Sequence, residues 1–141
     1  SGAIIITTPQ DIALADVRKG ADMFKKVNTP VLGVVENMSS FMINGEVKTN
    51  ASSIIINDQV VELKDNKFSH KIDLFKSGGG KKESERLGVP LLGKIPIEEE
   101  ITISTDKGLP ISKIKPESNA GLAFHSISQK IIKTFFENCL E

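Results

Sequence analysis

The fold is decided by the stretch VLGVV at residues 31–35, five consecutive residues without a polar side chain. Two similar stretches flank it along the chain: AIIIT at residues 3–7 and VPLLGKIP at residues 89–96. Short apolar runs rich in β-branched residues are typical of strands covered on both faces, as in a parallel sheet. A helical pattern separates the first two runs, which favours right-handed βαβ crossovers. The sequence predicts an α/β fold with a partial parallel sheet and flanking helices.

Helical spacing of apolar residues predicts the segments that cover this sheet. Ser77 is expected to cap the second of them, and Gly88 is expected to end it. The predicted helices are residues 10–26, 77–87, 98–107 and 116–138.

Residues 42–74 have a different pattern, in which short β-rich runs alternate with turn residues. Asn44-Gly45 is a strong hairpin signal. Asn57-Asp58 lies between the apolar runs 54–56 and 60–63, which predicts a second hairpin, and Asp65-Asn66 predicts a third turn. We therefore expect residues 42–74 to form an antiparallel β-hairpin insertion outside the parallel sheet.

The predicted sheet is narrow, and its first strand begins almost at Ser1. An apolar edge left open in this way favours association with another chain. We expect the chain to be the C-terminal half of a nucleotide-binding domain, with its own N-terminal half as a partner. The isolated chain is expected to associate through the open edge.

Composition excludes several classes of function. Lys and Arg together number 18, as do Asp and Glu, so the chain has no net basic field for nucleic acid or for a membrane surface. Trp and Tyr are absent, which leaves few stacking platforms for single strands. Cys139 is the only cysteine, which fits a reducing compartment and a cytoplasmic protein. No nucleic-acid or membrane partner is expected.

Candidate site residues lie where the predicted strands end, since open α/β sheets bind ligands beyond the carboxyl ends of their strands. An asparagine amide can both donate to and accept from a base edge, and a proline followed by an isoleucine can form an apolar wall. An alternative for Asn37 is that it satisfies backbone groups of its own loop. The candidates are Thr8, Pro9, Asn37, Pro96, Ile97 and Glu98.

The run SGGGKK at residues 77–82 invites comparison with a phosphate-binding loop. A P-loop needs the pattern GxxxxGK followed by Ser or Thr, whereas Lys82 follows Lys81 here. We interpret the run as a flexible entry to a helix. The chain shows no cysteine pair, His70 and His125 are far apart in sequence, and no metal site or catalytic set is predicted.

Three segments together resemble one family. ITTPQDIALADVRKG at residues 6–20, VLGVVENMS at 31–39 and LGVPLLGKIP at 87–96 are similar, in this order, to blocks of the Mrp family that follow its switch II. These proteins are P-loop ATPases related to the MinD and ParA groups, and they act as iron–sulfur cluster carriers. The resemblance implies that residues 1–141 are the C-terminal portion of a single P-loop ATPase domain, interrupted by the insertion.

The resemblance also implies roles for single residues. Asn37 falls on the adenine-contacting asparagine, Pro96 and Ile97 fall in the loop lining the base, and residues 8–10 lie near the nucleotide and the dimer interface. ATP is the expected cofactor, with Mg²⁺ held only when the N-terminal half is present. A homodimer and apo iron–sulfur client proteins are the expected partners.

Two departures from the family pattern matter. The Walker A loop and switch regions lie upstream of the residues present here, so this chain alone is expected not to hydrolyse ATP. The Cys-x-x-Cys pair expected soon after Phe41 is absent, and residues 42–45 are MING. Cluster binding of the usual kind is therefore doubtful. A MinD/ParA-like positioning ATPase and a non-enzymatic interaction module are the alternative functions.

Overall fold

A computed structural model describes residues 2–48 and 51–135 of the chain. The elements, in chain order, are β1 (Ala3–Thr7), α1 (Asp11–Lys26), β2 (Val31–Glu36), β3 (Phe41–Glu46), β4 (Ser53–Ile56), β5 (Gln59–Glu62), β6 (Lys67–Ile72), α2 (Gly79–Leu87), β7 (Leu91–Lys94), α3 (Glu99–Asp106), α4 (Ile111–Ile114) and α5 (Asn119–Phe135).

The parallel sheet has the strand order β1-β2-β7, and both pairings are parallel. This confirms the predicted α/β fold. The central strand β2 is the best covered, because helices pack on both of its faces. On one face Ile5 and Val34 pack against α1 and α2, and on the other Val35 and Leu92 pack against α5. Leu92 and Val34 are fully buried, and each such side chain contributes about 1.5–3 kcal/mol.

The strand β1 lies at one edge of this sheet. Ile4 and Ile6 of β1 are 38% and 61% exposed, whereas Ile5 between them is 6% exposed. One face of β1 is therefore covered by helices, and the other has apolar side chains in contact with solvent. Within the described residues, β1 thus lies at an edge of the sheet, as the sequence predicts, and exposes apolar side chains on one face.

The insertion forms two antiparallel pairs outside the parallel sheet, β3 with β6 and β4 with β5. We call β3 and β6 the ribbon, and β4 and β5 the tip hairpin. Asn57 and Asp58 have φ of 48° and 61°, and Asp65 and Asn66 have φ of 52° and 62°. Two successive positive φ values define the turns that favour Asn and Asp. Both of these predicted turns are confirmed.

The turn predicted at Asn44-Gly45 is wrong. Both residues lie inside β3, opposite Ser69 and Phe68 of β6. A side chain at Gly45 would meet the ring of Phe68 at 2.5 Å, so the glycine makes room for a cross-strand aromatic ring. The strands β3 and β6 pair although the whole tip hairpin lies between them in sequence. No local turn signal predicts this pairing.

Besides one-residue differences at the ends of α1 and α3, the helices differ from the prediction in three ways. Gly78 precedes α2 with φ of 81°, and no side chain in the described part of the chain caps the helix, so the predicted Ser77 cap is wrong. The last helix begins at Asn119 rather than residue 116, and its predicted end near residue 138 lies outside the described residues, as does Cys139. The four-residue helix α4 was not predicted because it is shorter than the spacing on which helix prediction depends.

Among the described residues, no helix is long and apolar enough to cross a bilayer.

Candidate functional site

The ribbon begins at the carboxyl edge of the parallel sheet as a continuation of β2. The N–H of Ile95 donates to the carbonyl of Glu36 at 2.8 Å, the N–H of Ser39 to that of Ile95 at 3.0 Å, and the N–H of Ile97 to that of Ser40 at 2.7 Å. Pairing beside β7 therefore continues past the end of β2. The ribbon is fixed by these bonds where ligands of open α/β sheets usually bind.

An acidic pocket of about 460 Å³ lies between β3, the loop after β7 and the start of α5. Phe41, Pro96 and Ile97 supply apolar surface to its wall. Four carboxylate residues also line it, namely Glu98, Glu99, Glu100 and Glu117. The pocket therefore combines apolar surface with hydrogen-bond acceptors.

Glu98 is the best positioned carboxylate in the acidic pocket. Its Oε1 accepts the N–H of Ala120 at 3.1 Å, in the first turn of α5, which fixes the carboxylate. Its Oε2 is buried and has no hydrogen-bond partner within residues 2–48 and 51–135. A buried acceptor without a donor is costly, so this atom is suited to a ligand that donates a hydrogen bond.

The other charges of the acidic pocket are partly neutralised. Lys115 Nζ donates to Glu100 Oε1 at 2.6 Å. This hydrogen bond holds the pKa of Glu100 below its ordinary value and raises the pKa of Lys115. Both side chains remain well exposed to solvent, so the pair lies on the outer wall of the pocket.

A second cavity, the ribbon pocket, has a volume of about 420 Å³ and lies against the ribbon. Met42, Asn44, Ser69 and Lys71 form one wall. Met42 pairs with Lys71 and Asn44 pairs with Ser69, so these four alternate positions share one face of the ribbon. The opposite wall consists of Ser39, Ser40, Ser77, Lys94, Pro96 and Asn119.

The start of α2 packs closely against the carboxyl ends of β1 and β2. Gly80 donates its N–H to Glu36 Oε2 at 2.6 Å, and a side chain at Gly80 would meet the Cβ of Glu36 at 2.7 Å. A side chain at Gly79 would meet the backbone of Pro9 at 2.8 Å. The carboxylate of Glu36 thus occupies the helix N-terminus that could attract an anion. The glycine run serves this close packing.

The structure brings only part of the predicted site together. Pro96, Ile97 and Glu98 line the acidic pocket, and Pro96 lines the ribbon pocket as well. Asn37 donates its backbone N–H to the carbonyl of Thr7 at 2.7 Å, at the adjacent strand end. Asn37, Thr8 and Pro9 line neither pocket.

The sequence did not identify the residues that approach from distant elements. Phe41 of β3 and Asn119 at the start of α5 line the acidic pocket, and the pairing of Phe41 with Ile97 brings β3 to this edge. An aromatic residue shortly after a strand end was visible in the sequence. Its place beside the loop after β7 depends on the interruption at Met38, whose φ is 53°.

The described residues do not provide a metal centre. Within residues 2–48 and 51–135, no group of three or more His, Cys, Asp or Glu could hold a metal ion. His70 lies in the ribbon opposite Ile43, and His125 lies in α5. At the position where the family resemblance implies a cysteine pair, β3 has Met42, Ile43, Asn44 and Gly45. These side chains do not fit an iron–sulfur cluster.

Comparison with solved structures shows the fold of P-loop NTPases. The cell division ATPase MinD of Pyrococcus furiosus matches with a TM-score of 0.60 at 23% identity, over 94% of this chain and 42% of that one. The septum site-determining protein MinD of Pyrococcus horikoshii, solved with Mg-ADP, matches with a TM-score of 0.59.

The sequence comparison is more specific. Residues 1–53 and 43–132 match the profile of the ParA family described as NUBPL iron-transfer P-loop NTPase. This chain belongs to that family, and the resemblance found from its three segments is confirmed.

Curated relatives are longer than this chain. The iron-sulfur cluster carrier protein of Synechocystis sp. is 40% identical over 131 residues, which are 93% of this chain and 31% of that protein. The iron-sulfur cluster transfer protein NUBPL of Mus musculus is 35% identical over 94% of this chain and 35% of its own length. The chain spans about a third of the length of these relatives.

Proposed function

We propose that this chain is the C-terminal part of an ATP-binding, iron–sulfur cluster carrier ATPase, to which it supplies the adenine pocket and part of the dimer surface. The carrying observation is the buried Oε2 of Glu98, an acceptor without a donor beside the apolar surface of Pro96 and Ile97. Membership of the iron-transfer family supports the wider proposal.

We infer that the apolar surface and the acceptors of the acidic pocket suit an adenine base. Phe41, Pro96 and Ile97 offer the apolar surface on which a planar ring can lie. The exocyclic amino group of adenine donates hydrogen bonds, which Glu98 Oε2 can accept. Guanine has a carbonyl oxygen at the equivalent position and would set an acceptor against a carboxylate. A guanine bound in the same orientation is therefore disfavoured, and the pocket should select adenine.

The phosphates and Mg²⁺ are proposed to be held by the remainder of the longer protein. The open edge of β1, with Ile4 and Ile6 exposed, is the place where that remainder would add to the sheet. In such an assembly ATP supplies the phosphoryl group, and residues of this chain bind and orient the base. Without that remainder, the chain is proposed to bind nucleosides and not to hydrolyse ATP.

The dimer and its cargo are also proposals. Thr8 and Pro9, at the end of β1 beside the start of α2, are proposed to contribute to a homodimer interface near the nucleotide. Client proteins would receive an iron–sulfur cluster as cargo. Because the side chains at positions 42–45 do not fit the cluster, its ligands would have to come from elsewhere in the assembly. A cytoplasmic location is proposed on the single cysteine of the chain.

The test is a titration of the chain with adenosine and with guanosine, followed by backbone amide chemical shifts. Adenosine should bind more tightly, with shifts near Ile97 and Glu98. In Glu98→Gln, the amide oxygen can still accept the N–H of Ala120, and the new NH₂ group then points at the base. Adenosine affinity should fall roughly tenfold and guanosine affinity should rise.

Glu99→Gln is the matched control, because Glu99 lines the same pocket and is more exposed to solvent. Its nucleoside affinities should be close to those of the unaltered chain. Equal affinity for both nucleosides, or equal effects of the two substitutions, would contradict the base site. The interaction-module alternative would then take precedence.

A further inference from the structure

The ribbon pocket differs from the acidic pocket in its charge. None of the described residues that line the ribbon pocket is Asp or Glu, whereas four glutamates line the acidic pocket. Two lysines, four serines and two asparagines line the ribbon pocket. Their side chains can all donate hydrogen bonds, and the lysines add positive charge. We propose that the ribbon pocket is a separate binding site for a phosphate-bearing small molecule.

Lys94 provides the first positive charge of this site. Its Nζ lies 3.2 Å from Glu36 Oε1, and its side chain is 47% exposed. Glu36 is fully buried and accepts the N–H of Gly80 with its other oxygen, so its negative charge is divided between two partners. An ammonium group has three donors, and the ion pair with Glu36 occupies no more than one of them. The remaining donors are available to an anion in the pocket.

Lys71 provides the second positive charge from the opposite wall. Its Nζ lies 3.1 Å from Asp73 Oδ1, and its side chain is 58% exposed. Asn44 and Ser69 are a cross-strand pair beside the pair of Met42 with Lys71, on the same face. This places an amide and a hydroxyl next to the ammonium group. Lysine suits phosphate as a compact point charge, whereas carboxylate recognition more often uses the planar fork of arginine.

The geometry of the site is fixed by backbone pairing. Six consecutive residue pairs join β3 to β6, from Phe41 with Ile72 to Glu46 with Lys67. On the other side, hydrogen bonds from Ser39 to Ile95 and between the segments beside β7 hold the wall opposite the ribbon. Two walls held by backbone hydrogen bonds reduce the ordering cost of binding.

The ligand of this site is distinct from the proposed base. The two pockets share Met42, Asn44, Pro96 and Asn119 as a common wall. A phosphate group would be repelled by the glutamates on one side of that wall and attracted by the lysines on the other. This site therefore goes beyond the adenine pocket, and either can be present without the other.

The probe is inorganic pyrophosphate, titrated into the chain at low ionic strength and followed by amide chemical shifts. We expect shifts concentrated at Asn44, Ser69, Lys71 and Lys94. Lys71→Ala should weaken binding roughly tenfold, because one charge-assisted hydrogen bond is lost from an exposed side chain of the ribbon. Ser69→Ala should weaken it by a smaller factor, and both substitutions leave the core unchanged.

Lys64→Ala is the matched control, because Lys64 is an exposed lysine two residues after the end of β5 that does not line the ribbon pocket. Its pyrophosphate affinity should equal that of the unaltered chain. An equal loss in Lys64→Ala and Lys71→Ala would show general attraction to lysines and overturn the site. Malonate affinity equal to that of pyrophosphate would overturn the assignment to phosphate.

Glu98→Gln separates this inference from the proposed base site. It should alter nucleoside binding and leave pyrophosphate affinity unchanged, because Glu98 lines only the acidic pocket. A parallel loss of pyrophosphate binding in Glu98→Gln would show that the two pockets are one site. Nucleoside binding could then stand while this inference fails.

Discussion

The parallel sheet and the ribbon are both held by backbone hydrogen bonds between strands, but their side chains stabilise them in different ways. In β2, the last four residues are buried and both faces touch helices. In β6, exposed and half-buried residues alternate along the whole strand. The stability of the sheet comes mainly from the burial of apolar side chains. The stability of the ribbon comes mainly from strand register and turn conformation. Substitutions should therefore have large effects in the sheet and small effects in the insertion.

The largest effect is expected from Leu92→Ala. Leu92 is fully buried between the sheet and α5, so the substitution removes a side chain and leaves a cavity. We expect a loss of about 3–4 kcal/mol in the free energy of unfolding, measured by urea denaturation.

Ile55→Ala is the matched control in the tip hairpin, where Ile55 is 73% exposed. The free energy of unfolding of Ile55→Ala should differ from that of the unaltered chain by no more than about 0.5 kcal/mol. Similar losses in the two variants would break the comparison, because the tip hairpin would then contain buried volume that its exposure does not indicate.

A smaller effect on stability is expected from a buried carboxylate in a helix that packs on the sheet. Glu83 of α2 has a side chain only 1% exposed, and it contacts Arg86 Nη2 at 2.6 Å and Arg18 Nε at 3.4 Å. Burial alone would raise the pKa of Glu83, but the hydrogen bonds and charges of the two arginines outweigh it and hold this pKa below its ordinary value. The ionised carboxylate therefore stabilises the native state.

Glu83→Gln should cost roughly 2 kcal/mol at neutral pH, since it removes hydrogen bonds to charged donors. A lowered native pKa stabilises above the ordinary carboxyl pKa of about 4.3, and this contribution is lost as pH falls through the native value. The difference between Glu83→Gln and the unaltered chain should shrink below about pH 4. Asp16→Asn, in an exposed pair with Lys19, is the control and should change stability little at any pH. A pH-independent difference would contradict the assignment.

The smallest effect is expected at the turn of the tip hairpin. Asp58 has φ of 61°, a conformation that glycine adopts without strain. Asp58→Gly should raise stability by about 0.5 kcal/mol or slow amide exchange in β4 and β5, while Asp58→Ala should lower stability by about 1 kcal/mol. Equal stabilities of Asp58→Gly and Asp58→Ala would show that the backbone conformation of this turn does not determine the stability of the tip hairpin.

The sequence predicted those parts of the fold that local chemistry determines. The strands of the sheet follow from uninterrupted apolar runs, and the turns at residues 57–58 and 65–66 follow from Asn and Asp tolerating positive φ. The turn at Asn44-Gly45 failed because a cross-strand ring, and not a turn, requires Gly45. The cap at Ser77 failed because Glu36 approaches the start of α2 instead.

The sequence predicted only those site residues that are neighbours along the chain. Pro96, Ile97 and Glu98 are consecutive, so their common loop was visible, and the structure places them in one pocket. The wall formed by the ribbon was not visible, since the tip hairpin separates Asn44 from its partner Ser69 along the chain. Long-range pairing leaves no periodic signal in either strand.

The hydrogen bonds that tie the segment between β2 and β3 to residues 95–97 make the insertion exchangeable. Because hydrogen bonds beside residues 95–97 fix the base of the ribbon, its far end can be rebuilt without moving that base. A pair of residues added to each strand, or a different tip hairpin, would keep the inward face of the ribbon unchanged. We therefore expect the insertion to offer a grafting position, where loop sequences of other proteins can be displayed beside the ribbon pocket.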